Sequence, residues 1–101
     1  MELDILTFSD AIESETPVLV KFEASWCGPC KTYAPTFEQF ATENPDIKCY
    51  SVDCEKMTDV AAQFGIMSIP CTIVFKDGKD LARKQGKLTL QEIKDLYDCK
   101  L

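Results

Sequence analysis

The sequence predicts an α/β domain, a mixed five-stranded central sheet flanked by four helices on both faces. Strand-like segments alternate with segments of helical periodicity, which implies parallel pairing in the first part of the chain. Asp77-Gly78 is a two-residue hairpin signal that adds an antiparallel pair at the end. A chain of 101 residues is enough for one core, so residues 1–101 read as a single domain.

Leu3 to Leu6 reads as a short opening strand. Thr7 or Ser9 can cap a brief helix whose Phe8, Ala11 and Ile12 share one side. Pro17 introduces Val18 to Ala24, whose nearly continuous apolar start suits a central strand covered on both faces. Gly28 and Pro29 begin a long helix that runs to about Asn44, with Tyr33, Phe37, Phe40 and Ala41 as its buried stripe. Pro35 removes an N–H inside that helix and predicts a kink. Ile47 to Val52 is the next strand. Met57, Val60, Ala61 and Phe64 recur at helical spacing, and Gly65 supplies a stop. Cys71 to Phe75 and Asp80 to Gln85 are the strands either side of the hairpin turn. Leu90, Ile93, Leu96 and Tyr97 define a closing helix.

Composition narrows the function. Hydrophobic content of 46% and charged content of 28% are those of an ordinary globular protein. The longest apolar runs, such as Val18-Leu19-Val20, are far too short to cross a bilayer, so no membrane partner is expected. Met1 is followed by Glu2 and Asp4, not by a basic segment and a long apolar stretch, so no signal peptide is expected and the cytoplasm is the expected compartment. A net charge of −6 argues against nucleic acid, whose phosphates require clustered Lys or Arg. The six cysteines mostly lie in core-forming patterns, unlike those of a loop-rich disulfide scaffold.

The chemistry concentrates in Trp26-Cys27-Gly28-Pro29-Cys30-Lys31, just after a strand and at the start of a helix. The first N–H groups of a helix have no intrahelical partner, and that end favours negative charge, hence a thiolate over a thiol. A thiolate beside a second thiol is the equipment for making and breaking disulfides. Zinc is disfavoured as the occupant: the chain has no histidine, and Cys49 and Cys54 are wrongly spaced for a second ligand pair. No glycine-rich phosphate loop follows a strand, so no dinucleotide or other bound cofactor is expected.

Further residues join this motif: Pro35, Asp53 ending the third strand, Phe64-Gly65-Ile66, Ile69-Pro70 before a strand, Phe75-Lys76-Asp77-Gly78, and Gly86 before the last helix. In this order and near-spacing the chain resembles the thioredoxin family over essentially its whole length. The resemblance implies the thioredoxin fold and a protein-disulfide reductase. Cys27 would be the attacking thiolate and the more exposed sulfur, and Cys30 the resolving thiol. Trp26, Gly28 and Pro29 would form the active-site loop. Trp26, Ile69, Pro70 and Gly86 would line the substrate surface, with Ile69-Pro70 as the family's cis-proline loop. The implied partners are disulfide-containing proteins and an NADPH-dependent thioredoxin reductase. A different class of reading is a redox-gated binding module with little turnover.

Three positions depart from the family's usual pattern. Lys21 stands where a buried Asp is usual, and Glu23 where a Trp is usual. Both lie on one side of the strand. They are candidates for tuning the dithiol: Glu23 as the acid with Lys21 as its ion-pair partner, or Lys21 stabilising the thiolate directly, unless both heads simply reach solvent. Cys71, after Pro70, would put a third sulfur near the active-site rim, open to glutathionylation or to linking two chains that are otherwise monomers. Its alternative is a small residue entering a strand. Cys49 reads as inert packing, and nothing near Cys54 or Cys99 predicts activation.

Overall fold

In the computed structural model, which describes residues 1–99, the strand Val18–Glu23 (β1) is the one the others are built on. Its first five residues are all buried. Val18, Val20 and Phe22 face one side and Leu19 the other, as the pleat requires. β1 pairs in parallel with Lys48–Asp53 (β2) and antiparallel with Cys71–Lys76 (β3). Lys79–Gln85 (β4) completes an antiparallel hairpin with β3, giving the strand order β2-β1-β3-β4. The helices Phe8–Ile12 (α1) and Thr58–Gln63 (α3) cover the Val18 face, where Phe8, Ile12, Met57 and Val60 pack on Phe22, Ile73 and Phe75. Gly28–Glu43 (α2) and Leu90–Asp98 (α4) cover the Leu19 face through Tyr33, Phe37, Phe40, Ile93, Leu96 and Tyr97. α2 continues through Pro35 without a break.

The sheet has four strands among the described residues, not the expected five, and the difference lies at Leu3 to Leu6. Asp4 decides it. Its Oδ1 accepts the N–H groups of Leu6 and Thr7 at 2.9 and 3.0 Å, which folds the segment into a turn leading to α1. What remains of the expected strand is one parallel bridge between Glu2 and Ser51, with Leu3 N donating to Ser51 O at 2.8 Å. Thr7 takes the N-cap position of α1, but its hydroxyl bonds Asp4 and caps nothing in the helix.

The remaining boundaries follow local chemistry. Gly65 has φ of 63° and ends α3, with Ile66 N donating back to Ala61 O at 2.9 Å. Thr89 and Glu92 form a reciprocal capping box at the start of α4. Asp77 and Gly78 both have positive φ, 52° and 79°, as the two-residue turn between twisted strands needs. That turn is tied down by Asp77 N to Ser14 O at 2.9 Å and Gly78 N to Ile12 O at 2.8 Å.

The hairpin gives a stability prediction. Gly78→Ala forces a Cβ into the left-handed region and brings it to 3.0 Å from Glu13 Oε1, a contact that the flexible Glu side chain can relieve. Urea unfolding should therefore show a loss of about 1 kcal/mol, from backbone strain alone. An unchanged midpoint would mean that this turn does not hold the conformation described.

Candidate active site

Where β1 ends, the chain turns sharply: Cys27 N donates to Ala24 O at 3.2 Å, and the next residue begins α2. Cys27 is thereby placed at the N-cap, with extended backbone dihedrals of −85° and 112°. Its Sγ accepts the N–H of Cys30 at 3.3 Å. A sulfur fills the position where Ser or Asp usually satisfies the open end of a helix. Pro29, within the first turn, lacks an N–H that the helix could not have used. Around Gly28 the space where a side chain would project is empty.

Both thiols are free and buried, Cys27 at 5% exposure and Cys30 at 2%. The order is the expected one, but the difference is small. The Cys27 thiol lies 3.8 Å from the carbonyl oxygen of Ile69, to which it donates. Ala24, Cys27, Cys30 and Ile69 pack as one small cluster. The Ile69-Pro70 bond is cis, and Pro70 O accepts Gly86 N at 2.8 Å, with Gly86 at φ of 91°. Ile69, Pro70 and Gly86 are thus gathered beside the dithiol, and Trp26, adjacent to Cys27, is 69% exposed.

The environment holds Cys30 as a thiol. Burial pushes its pKa up to about 12, and the hydrogen bond to Cys27 adds to the effect, as do the negative charges of Cys27 and Glu23. Cys30 also faces an open cleft of about 350 Å³ whose other walls include Glu23, Asp53 and Glu2.

Lys21 and Glu23 meet directly. Lys21 Nζ lies 2.7 Å from Glu23 Oε1 and sits over the Phe37 ring, 5.3 Å from its centroid. The Lys21 side chain is 5% exposed and that of Glu23 26%, so the lysine head does not reach solvent. Nearby, Tyr33 Oη and Thr72 Oγ1 are 2.9 Å apart and buried. Burial pushes the Tyr33 hydroxyl up to about 12.

The expected rim position of Cys71 is corrected by its burial. It is 1% exposed, packs on the Val18 face with Phe22 and Ile73, and burial raises its thiol pKa. A thiol so covered is a small core residue entering β3, and it presents no sulfur for glutathione or for a second chain. Cys49 and Cys54 are half-buried, with pKa values pushed by burial to about 11 in each case. Cys99 is exposed. The sequence reading missed Met67, 91% exposed two residues before Ile69. It also missed the cleft beside Cys30. The pairing of Glu23 with Asp53 across β1 and β2 was the available signal for the cleft.

Among the described residues no group of three or more His, Cys, Asp or Glu is arranged to hold a metal, and no helix is long and apolar enough to cross a membrane.

Residues 1–98 match the family model described as Thioredoxin. The chain is 40% identical over 87 residues to a thioredoxin of Alicyclobacillus acidocaldarius, covering 85% of this chain and 83% of that protein. It is 41% identical over 93 residues to a thioredoxin of Mycobacterium bovis, covering 87% and 80%. The crystal structure of Chlamydomonas reinhardtii thioredoxin f2 matches with a TM-score of 0.89 at 25% identity, over 99% of this chain and 94% of that one. Members of this family use a cysteine pair of their own as the redox group in place of a bound cofactor. The chain therefore belongs to the thioredoxin family, and its Cys27–Cys30 pair makes it a dithiol–disulfide oxidoreductase.

Proposed function

We propose that the chain reduces disulfides in other proteins, with Cys27 attacking and Cys30 resolving. The observation that carries this assignment is the contrast between the two sulfurs. Cys27 caps a helix N-terminus, where negative charge is favoured, whereas Cys30 is kept protonated with a pKa near 12. Cys27 attacks one sulfur of the substrate disulfide and forms a mixed disulfide, releasing the other sulfur as a thiolate. Cys30 then attacks Cys27, giving the Cys27–Cys30 disulfide and freeing the second substrate sulfur. Two electrons pass to the substrate, and a thioredoxin reductase drawing on NADPH returns the pair to the dithiol.

Substrate docks across Trp26, Ile69, Pro70 and Gly86. The open space at Gly28 and the exposure of Trp26 support this surface. Ile69 offers backbone to an extended substrate segment in the manner of strand addition. Residues 1–101 act as one domain, a reading supported by the family match over 1–98. The net charge of −6 supports a monomer, and the burial of Cys71 removes the linkage expected for an oxidised dimer. A dithiol that must be recharged suits a reducing compartment, and we assign the cytoplasm. A chloroplastic M-type thioredoxin of Chlamydomonas reinhardtii, 45% identical over 75 residues, is among the relatives, so fractionation is the check on this assignment.

Three results are expected. NADPH oxidation with a thioredoxin reductase and insulin should be rapid and should fall to background in Cys27→Ser; turnover surviving in that variant would remove Cys27 from the reaction. Iodoacetamide near neutral pH should label Cys27 before Cys30, because Cys30 stays a thiol well above that pH; labelling in the opposite order would reverse the roles. Trp26→Ala should lower kcat/KM for insulin by about tenfold while leaving reduction of a small-molecule disulfide within about twofold. An equal loss on both substrates would exclude a docking role.

A further inference from the structure

Among the described residues the large apolar side chains left exposed are Met1, Ile5, Leu6, Trp26 and Met67. Trp26 adjoins Cys27 and Met67 precedes Ile69, so the dithiol surface accounts for both. The other three fall in the first six residues. Ile5 and Leu6 sit on a fixed turn. Asp4 Oδ1 accepts the N–H groups of Leu6 and Thr7, and the Thr7 hydroxyl lies 3.1 Å from the same oxygen. An apolar pair held out on a locked turn is surface suited to contact.

Ile5 borders a groove of about 390 Å³ between α1 and α3. The floor of the groove is apolar, made by Phe8, Val60 and Phe64, and the Phe8 and Phe64 ring centroids are 5.8 Å apart. Its rim is acidic. Glu13 closes one end, with Oε1 3.0 Å from where a Cβ would stand on Gly78, and α3 contributes Asp59. Neither carboxylate is ion-paired among the described residues, and no Lys or Arg lines the groove.

An apolar floor under a negative rim matches a lysine or arginine side chain, whose stem is apolar and whose head is charged. The walls are helices, so the groove offers no free strand edge to extend. A helical occupant brings its own backbone hydrogen bonds and presents anchors at i, i+3 and i+4. The net charge of −6 attracts a basic partner and repels a second copy of this chain.

We propose that the groove between α1 and α3 is a second docking surface, which takes a basic amphipathic helix of a partner protein. The surface is separate from the dithiol. Gly78 follows β3 at the end away from Cys71 and Pro70, and no residue lining the groove belongs to the cluster of Ala24, Cys27, Cys30 and Ile69. A partner held there leaves Cys27 open to exchange, and the inference does not depend on which cysteine attacks.

The test is an NMR titration of the reduced, ¹⁵N-labelled protein with an amidated Leu/Lys peptide of helical periodicity, about four turns long. Amide shifts should centre on α1, α3 and the Asp77-Gly78 turn and leave Cys27 to Lys31 unmoved, with a Kd of about 10 to 100 μM. A peptide of equal charge with Ser in place of Leu should bind at least about tenfold more weakly. Ile5→Ser and the double variant Glu13→Gln/Asp59→Asn alter exposed positions and should each weaken the Leu/Lys peptide about fivefold. Shifts centred on the dithiol, equal binding of the two peptides, or an unchanged Kd in both variants would each overturn the proposal. Concentration-dependent shifts at the groove without peptide would assign it to a second copy of the chain and overturn the proposal as well.

Discussion

The N-cap of α2 is a sulfur atom, and the arrangement of the site depends on that one interaction. Cys27 Sγ accepts the Cys30 N–H at 3.3 Å, so the hydrogen bond that starts the helix also fixes the two sulfurs relative to each other. Helix geometry then places Cys30 one turn along, on the inner side, at 2% exposure. The open N–H groups and the helix dipole act on the capping sulfur. Burial acts on the other and holds its proton. Two chemically identical side chains come to differ in setting because one caps the helix and the other lies inside it, and the proposed division of roles rests on that difference.

Beneath the dithiol, α2 and the sheet meet through a thin polar layer. Lys21 and Thr72 are cross-strand partners on β1 and β3, and each finds a partner: Lys21 in Glu23, Thr72 in the Tyr33 hydroxyl. No buried side-chain nitrogen or oxygen is left unsatisfied among the described residues. That completeness matters because a half-satisfied polar layer would cost more than an apolar one. Phe37 contributes to both sides of the arrangement, packing on Tyr33 with ring centroids 5.8 Å apart and receiving the Lys21 ammonium over its face. The site thus rests on a rigid helix, a central strand and a layer of paired groups, which suits a sulfur that must return to the same geometry after every exchange.

What was legible in the sequence was what short-range chemistry decides. Asp77-Gly78 demands positive φ and shows it; Gly65 stops α3; Tyr33, Phe37 and Phe40 recur at helical spacing and are buried. The opening strand failed because one side chain overrode the apolar pattern: Leu3 is buried as a strand residue would be, but Asp4 captures two N–H groups and turns the chain. Of the two readings of Cys71, a rim sulfur or a small residue entering a strand, the second holds, and the signal for it existed. Its parity with Ile73 and Phe75 puts it on the Val18 face, inside the core, whatever its closeness in sequence to Pro70. Lys21 and Glu23 were correctly read as neighbours on one side of β1. Whether their heads turned to solvent or to each other depended on Phe37, which arrives from a different element, and no local pattern carries that information.

The central claim is that position on α2, at the cap or one turn inside, assigns the roles of the two cysteines. It is tested most directly by trapping. Cys30→Ser incubated with an oxidised protein substrate should accumulate a covalent complex on a non-reducing gel, and peptide mapping should locate the intermolecular disulfide at Cys27. A complex formed instead by Cys27→Ser and mapped to Cys30 would show that the buried thiol attacks first and would contradict the account.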